Sequence, residues 1–292
     1  MIFITSYCSP SHSIIQAVEE LVKHGFSNIE LTGGTDFDKY SENRLIALQR
    51  EHGLNFLIHN FFPPQEEDFV LNLATVNRKT RHKSLGLVRQ AIALSEKFSQ
   101  NLYSVHAGYT HDRLPIKGSD GLFLRNEAFE GNNSREIFFE NLAFIAEKVL
   151  PRGFKLAVEN AFPHYGDKAF SFLSSDEDIF EYLQFAERFS NLGFLLDLGH
   201  LNVASYYGGF DKKGFLDVLF SEYSSKIFEI HVSRNSGRED SHKVSDAKSY
   251  EIGALRENIQ RVKDIPIVME WHQSLSGPAV EQYKRVEAYL ST

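Results

Sequence analysis

The chain has 292 residues, 42% of them hydrophobic and 24% charged, which is ordinary globular composition with enough apolar residues for one large core. A net charge of −8 disfavours broad electrostatic capture of nucleic acid, which needs a basic face. The single cysteine, Cys8, excludes an intrachain disulfide and a thiolate metal cluster, and neither a signal peptide nor a membrane span is legible, so a cytoplasmic location is expected.

In chain order, short apolar runs of strand length alternate with stretches of helical period. The runs are 2–5, 27–31, 54–59, 101–106, 154–160, 192–198, 226–232 and 265–270. Helices are predicted over 11–24, 38–52, 78–98, 134–149, 176–189, 211–224, 251–262 and 278–290, with Ser11, Ser134 and Ser175 as N-caps. Near-continuous apolar strands between helices indicate a parallel sheet covered on both faces. Eight such units predict an α/β fold, a single (β/α)8 TIM barrel over 1–292 with its active site at the C-terminal face of the strands. The rival, an open doubly wound sheet, usually carries a glycine-rich loop after its first strand, whereas TSYCSPSH stands there. The long connections, 60–77, 107–133 and 233–250, all follow strands, and 108–133 reads as a lid or substrate loop.

The strand ends carry the chemistry. Strand three ends in His59, strand four in His106, strand five in Glu159 and strand six in Asp197, with His200 one turn on. Strand seven carries His231, followed by Asp240 and His242 in its loop; strand eight ends in Glu270, and strand two offers Glu30. Imidazoles and carboxylates are the donors that zinc or manganese takes, and carboxylates also bridge ions, for which Glu159 and Asp197 are the candidates. Singly, a strand-end histidine is usually a hydrogen-bonded rim residue and a carboxylate a helix cap. Nine such groups, Glu30 aside, at one end of one barrel point instead to a metal centre. His12, His24, His52, His82, His111, His164 and His272 are read as ordinary histidines, with His111 and His164 on loops within reach of the site. Arg234, Arg238 and Lys243 suit a phosphate or carboxylate, or equally a solvated loop.

The segments LIHNFFPPQEEDFVLNLAT, YSVHAG, AVENA, LDLGH, IHVSRNSGREDSH and VMEWH, in this order, resemble the xylose isomerase-like TIM-barrel superfamily, which includes endonuclease IV and many sugar isomerases and epimerases. The resemblance implies Glu159, Asp197, His231 and Glu270 as the core metal set, with Glu159 and Glu270 as the catalytic proton-shuttling pair. Glu30, the feature expected of the sugar-acting branch, is a candidate substrate contact, as are Asn160, Arg234 and Arg238 from their positions in the sequence. The endonuclease IV pattern adds His59 and His106 for one zinc and His200, Asp240 and His242 for another. One to three divalent ions are therefore expected, zinc first, with manganese or cobalt as alternatives.

Two chemistries follow from the resemblance. One is a metal-dependent sugar or sugar-phosphate isomerase/epimerase, moving a proton beside a metal-polarised carbonyl. The other is an endonuclease IV-like multi-zinc phosphoester hydrolase. The Arg- and Gln-rich loop with which the endonuclease penetrates DNA has no counterpart in IELTGGTDFDKY, and FFPPQEED is acidic, so duplex DNA is disfavoured. Glu30 and the acidic mouth place the isomerase reading and a small-molecule substrate first. A non-catalytic sugar-binding barrel is the third reading. Monomer and homo-oligomer are both left open.

Overall fold

A computed structural model describes residues 1–115, 123–126, 133–163 and 170–291. The strands are β1 (Ile2–Thr5), β2 (Asn28–Leu31), β3 (Asn55–Ile58), β4 (Leu102–His106), β5 (Asp112–Pro115), β6 (Phe123–Asn126), β7 (Lys155–Glu159), β8 (Leu192–Asp197), β9 (Ile227–Val232) and β10 (Ile267–Met269). The helices are α1 (Ile14–Lys23), α2 (Ser41–His52), α3 (Arg78–Lys97), α4 (Ser134–Phe144), α5 (Asp176–Ala186), α6 (Leu198–Gly208), α7 (Lys212–Glu222), α8 (Tyr250–Glu257), α9 (Ile259–Val262) and α10 (Gly277–Ser291).

Eight strands form one parallel sheet in the order β3-β2-β1-β10-β9-β8-β7-β4. Its two edges meet at the top of β3, where His59 bridges Ser104 and the Asn60 N–H donates to the Ser104 carbonyl at 2.7 Å. The result is the (β/α)8 barrel that the alternating pattern predicts. The outer strand faces, among them Ile4, Ile29, Phe56, Leu156, Phe194 and Ile230, pack under helix residues such as Val18, Leu45, Val88 and Leu219. A separate apolar cluster of Phe3, Leu57, Leu102, Ala157, Leu195, Phe228 and Val268 fills the barrel interior. Leu57, Ala157, Leu195 and Val268 each lie two residues before a candidate ligand, so the period of two puts plug and ligands on one face, one above the other. Register then aligns ligands on neighbouring strands: His106 pairs with Glu159, and Asp197 with His231.

Several local expectations are corrected. The α1 cap is Ser13, whose hydroxyl accepts from the Gln16 N–H, while Ser11 bonds to Ser13. Ser134 is the first residue of α4 and donates to the Thr110 carbonyl instead of capping. Ser175 does cap α5, accepting from the Asp178 N–H at 3.2 Å. The predicted helix 251–262 is broken at Asn258 into α8 and α9. Two elements were not foreseen. α6 starts directly from β8 with no connecting loop, and a β5–β6 hairpin stands within the 107–133 connection. The remainder of that lid segment, 116–122 and 127–132, and His164 lie outside the described residues. No helix among the described residues is long and apolar enough to cross a membrane.

Candidate metal centre

The nine strand-end candidates converge at the C-terminal mouth of the barrel. Their donor atoms fall into groups whose members all lie within 4.8 Å of one another: His59, His106 and Glu159; Glu159, Asp197, His231 and Glu270; His200, Asp240 and His242. Glu159 belongs to two of them. Its Oε2 lies 3.1 Å from His106 Nε2 and 3.5 Å from His59 Nε2, and its Oε1 lies 3.1 Å from His200 Nδ1. His242 Nε2 lies 2.5 Å from Asp240 Oδ2, which is 3.3 Å from His200 Nε2.

Four of the imidazoles are anchored through one nitrogen, which leaves the other for the centre. His59 Nδ1 lies 3.1 Å from Ser104 Oγ, and that hydroxyl donates to the Ile58 carbonyl, so it accepts from His59 and frees Nε2. Carbonyl oxygens accept from Nδ1 of His200 (Asn160, 2.8 Å) and of His242 (Glu270, 3.1 Å), turning both Nε2 atoms toward Asp240. His231 is oriented the other way. Its Nε2 meets Glu30 Oε2 at 2.9 Å, and Nδ1 faces Glu270 Oε2 at 3.4 Å.

Asp197 divides its two oxygens between structure and site. Oδ1 caps α6 by accepting from the His200 N–H at 2.6 Å, while Oδ2 is buried without a hydrogen-bond partner among the described residues. Both Glu159 oxygens, Glu270 Oε2 and His231 Nδ1 are likewise buried and without such a partner. Buried polar atoms that meet charged neighbours without a well-formed hydrogen bond are costly, and a cation shared among them would offset that cost.

Charge pairing dominates the electrostatics: burial works against a charged ring, but neighbouring carboxylates outweigh it, raising His200 and His231 well above the ordinary imidazole range and His242 to about 10. Burial works against ionisation of Glu159 and Glu270, but neighbouring imidazoles outweigh it and hold both carboxyls well below the ordinary range. Burial pushes Asp197 and Glu30 up to about 8 and pushes His59 down to about 3, so that His59 keeps its lone pair.

The expected substrate contacts are placed differently from one another. Glu30 is fully buried behind His231 and does not line the pocket, so it is an anchor for that ring rather than a contact at the mouth. Asn160 commits its side chain to the Asp197 backbone, donating to its carbonyl at 3.0 Å and accepting from its N–H at 2.8 Å. Arg234 does not line the pocket and pairs with Asp246 at 2.8 Å, whereas Arg238 lines it.

Two polar residues at the site escaped sequence reading. Glu229, fully buried, lies 3.6 Å from His231 Nε2; it stands two residues before His231 and therefore on the same face of β9. His272, read as ordinary, stacks on His242 at 3.6 Å between ring centroids and forms a further donor group with His242 and Glu270. Its place two residues beyond Glu270 was the available signal. His12 also lines the pocket, and His111 does not.

The pocket over these groups has a volume of about 1010 Å³. Phe61 packs against His106, Phe162 against His200 and Tyr7 against His272, so aromatic rings wall the polar floor. Asp36, Glu66, Asp68 and Glu239 stand at the mouth with Arg113 and Arg238.

Comparison with known proteins yields relatives across the barrel's length. The chain is 24% identical over 236 residues to the uncharacterised protein MJ1311 of Methanocaldococcus jannaschii, covering 79% of this chain and 69% of that one. Among solved structures, it is similar to a D-tagatose 3-epimerase-like protein, with TM-score 0.73, 20% identity and coverage of 99% and 97% of the two chains. It is also similar to an AP endonuclease, family 2, from Brucella melitensis, with TM-score 0.66, 14% identity and coverage of 99% and 98%. A third is the IOLI protein with a binding zinc atom, with TM-score 0.64, 15% identity and coverage of 99% and 97%. The xylose isomerase-like TIM barrel family model matches residues 18–285. With the barrel topology and the ligand-bearing strand ends in place, the chain belongs to the xylose isomerase-like TIM-barrel family.

Proposed function

We propose that this protein is a multi-metal phosphoester hydrolase, with zinc as the first-choice ion, acting on a small or flexible phosphoester rather than duplex DNA. The observation that carries this reading is that the nine donors are spread over overlapping groups, two of which share Glu159 while His200, Asp240 and His242 form another, more than a single ion can engage. Proton transfer beside a carbonyl needs one ion, for which Glu159, Asp197, His231 and Glu270 suffice; it gives no use to His59, His106, His200, Asp240 and His242. Glu30, a sequence feature that favours an isomerase, is an internal anchor of His231.

The donor set fits the metal. Buried, unpaired oxygens of Glu159, Asp197 and Glu270 face a free imidazole nitrogen of His231, a mixed N/O set of the kind zinc takes. When bound there, divalent ions supply positive charge to phosphoryl oxygens and lower the pKa of water at neutral pH. The chain's own residues do the rest. Ser104, the Asn160 carbonyl and Glu30 hold the His59, His200 and His231 imidazoles in single orientations, which limits reorganisation on binding. Phe61, Phe162 and Tyr7 exclude water from the walls, which strengthens every charge interaction on the floor. Arg238 at the mouth is the phosphate contact, as a guanidinium pairs well with a phosphate fork.

Elemental analysis of protein purified without chelator tests the reading, together with hydrolysis of a chromogenic phosphodiester, a single-stranded oligonucleotide and an abasic-site duplex. Two to three zinc equivalents with turnover of the small or single-stranded substrates are expected. One metal equivalent, together with solvent deuterium exchange into a ketose C–H, overturns it in favour of the epimerase chemistry.

A further inference from the structure

The group of His200, Asp240 and His242 is built unlike the other two. His59, His106, Glu159, Asp197, His231 and Glu270 sit on barrel strands or at their ends, where sheet register sets their spacing. His200 stands on α6, and Asp240 and His242 stand on the loop 233–243, with no strand pairing between loop and helix. The loop closes on itself through Arg234 and Lys243, which exchange backbone hydrogen bonds of 2.9 and 3.0 Å. That closure fixes the loop's shape but not its distance from His200.

His242 is tied to the end of β10 through the Glu270 carbonyl and the His272 N–H, and a side-chain amide ties the loop to α6. Asn235 Nδ2 donates to the Gly199 carbonyl at 2.8 Å, next to His200 in sequence. Asn235 Oδ1 accepts from Asn202 Nδ2 at 2.9 Å and from the Gly237 N–H at 2.8 Å. One amide thus ties both ends of the first turn of α6 to the loop. Gly199 makes room for the approach: a Cβ there would stand 2.5 Å from Ser233 Oγ and 3.2 Å from Asn235 Nδ2. A further bond, from the Tyr207 hydroxyl to the Arg238 carbonyl at 3.0 Å, joins the two elements farther out.

We propose that Asn235, with Asn202 as its partner on α6, is the positioning residue of the third metal group, docking the loop so that His200, Asp240 and His242 share one ion. The inference rests on the multi-metal reading above. The third ion is therefore separable from the other two: the clamp sets its affinity, while barrel register sets theirs. Groups that orient ligands from behind typically change metal affinity about ten- to hundredfold when removed.

The test compares stepwise zinc affinity, by chelator competition, in wild type, Asn235→Ala and Asn202→Ala, with thermal melting of the zinc-free proteins as the check on folding. Wild type is expected to hold three equivalents. Asn235→Ala keeps two at wild-type affinity and binds the third about ten- to hundredfold more weakly, and Asn202→Ala, which removes one of the three bonds, falls between them. Unchanged affinity for the third ion in Asn235→Ala overturns the inference and leaves the multi-metal reading standing. Equal weakening of all three ions also overturns it, since a general loss of structure would act that way. Fewer than three equivalents in wild type overturns the three-ion form of the reading and this inference with it.

Discussion

Replacing Ser104 with Ala isolates how His59 is aimed. Ser104 is fully buried, and its Oγ lies 3.1 Å from His59 Nδ1 while donating to the Ile58 carbonyl. Alanine removes one oxygen and no carbon, so the cavity term is small and the effect is the loss of the acceptor. A buried N–H left without a partner costs about 1–3 kcal/mol, against about 1 kcal/mol for a net hydrogen bond. Zinc-free Ser104→Ala is therefore expected to lose about 1–3 kcal/mol in urea denaturation. The freed ring no longer presents Nε2 by default, so zinc affinity at the His59–His106–Glu159 group falls about tenfold or more, roughly 1.4 kcal/mol upward. The ion at His200, Asp240 and His242 is unaffected, because Ser104 contacts none of those residues. A variant that loses stability yet keeps zinc affinity within about twofold at every step refutes the reasoning, since the tautomer would then be set elsewhere.

Three other outcomes follow from the same structure. Burial raises the Glu251 carboxyl above its ordinary value near 4.5, so the unfolded chain releases that proton first and stability falls as pH rises above about 4.5. Glu251→Gln should thus gain on wild type as pH rises above about 4.5, and a pH-independent difference contradicts the assignment. A Cβ at Gly193 would stand 2.4 Å from the Phe228 ring and 2.6 Å from the Lys226 carbonyl, so Gly193→Ala should cost about 1–3 kcal/mol; an unchanged melting temperature rules that out. Arg234, 52% exposed and paired with Asp246, is worth less than about 1 kcal/mol. Arg234→Ala should leave KM unchanged while Arg238→Ala raises it, and an equal rise in both would place Arg234 at the substrate after all.

Much of this was legible because a parallel barrel writes itself in one dimension. Strands buried on both faces read as apolar runs, and polar residues at their ends stand out as His106, Glu159, Asp197 and Glu270 do. Where a single residue's backbone decided, the reading was weaker. Ser11 and Ser13 are equally good caps on paper, and the chain conformation chose Ser13. α6 was missed because it begins on the last strand residue, with Asp197 serving as both strand end and helix cap, so no turn composition separates the two. Glu229 and His272 were within reach of the period-two rule applied backward from His231 and forward from Glu270.

The order of strands, the end of the barrel that holds the chemistry and the donors available there were determined by the sequence itself, since they depend on which residues follow one another. The sharing of Glu159 between two groups, the placement of Glu30 behind His231 and the choice of imidazole nitrogen were decided by tertiary structure. These depend on register between strands distant in the chain, such as His106 beside Glu159 and Asp197 beside His231. They depend also on contacts such as His231 with Glu30, 201 residues apart, which closing the barrel brings to 2.9 Å.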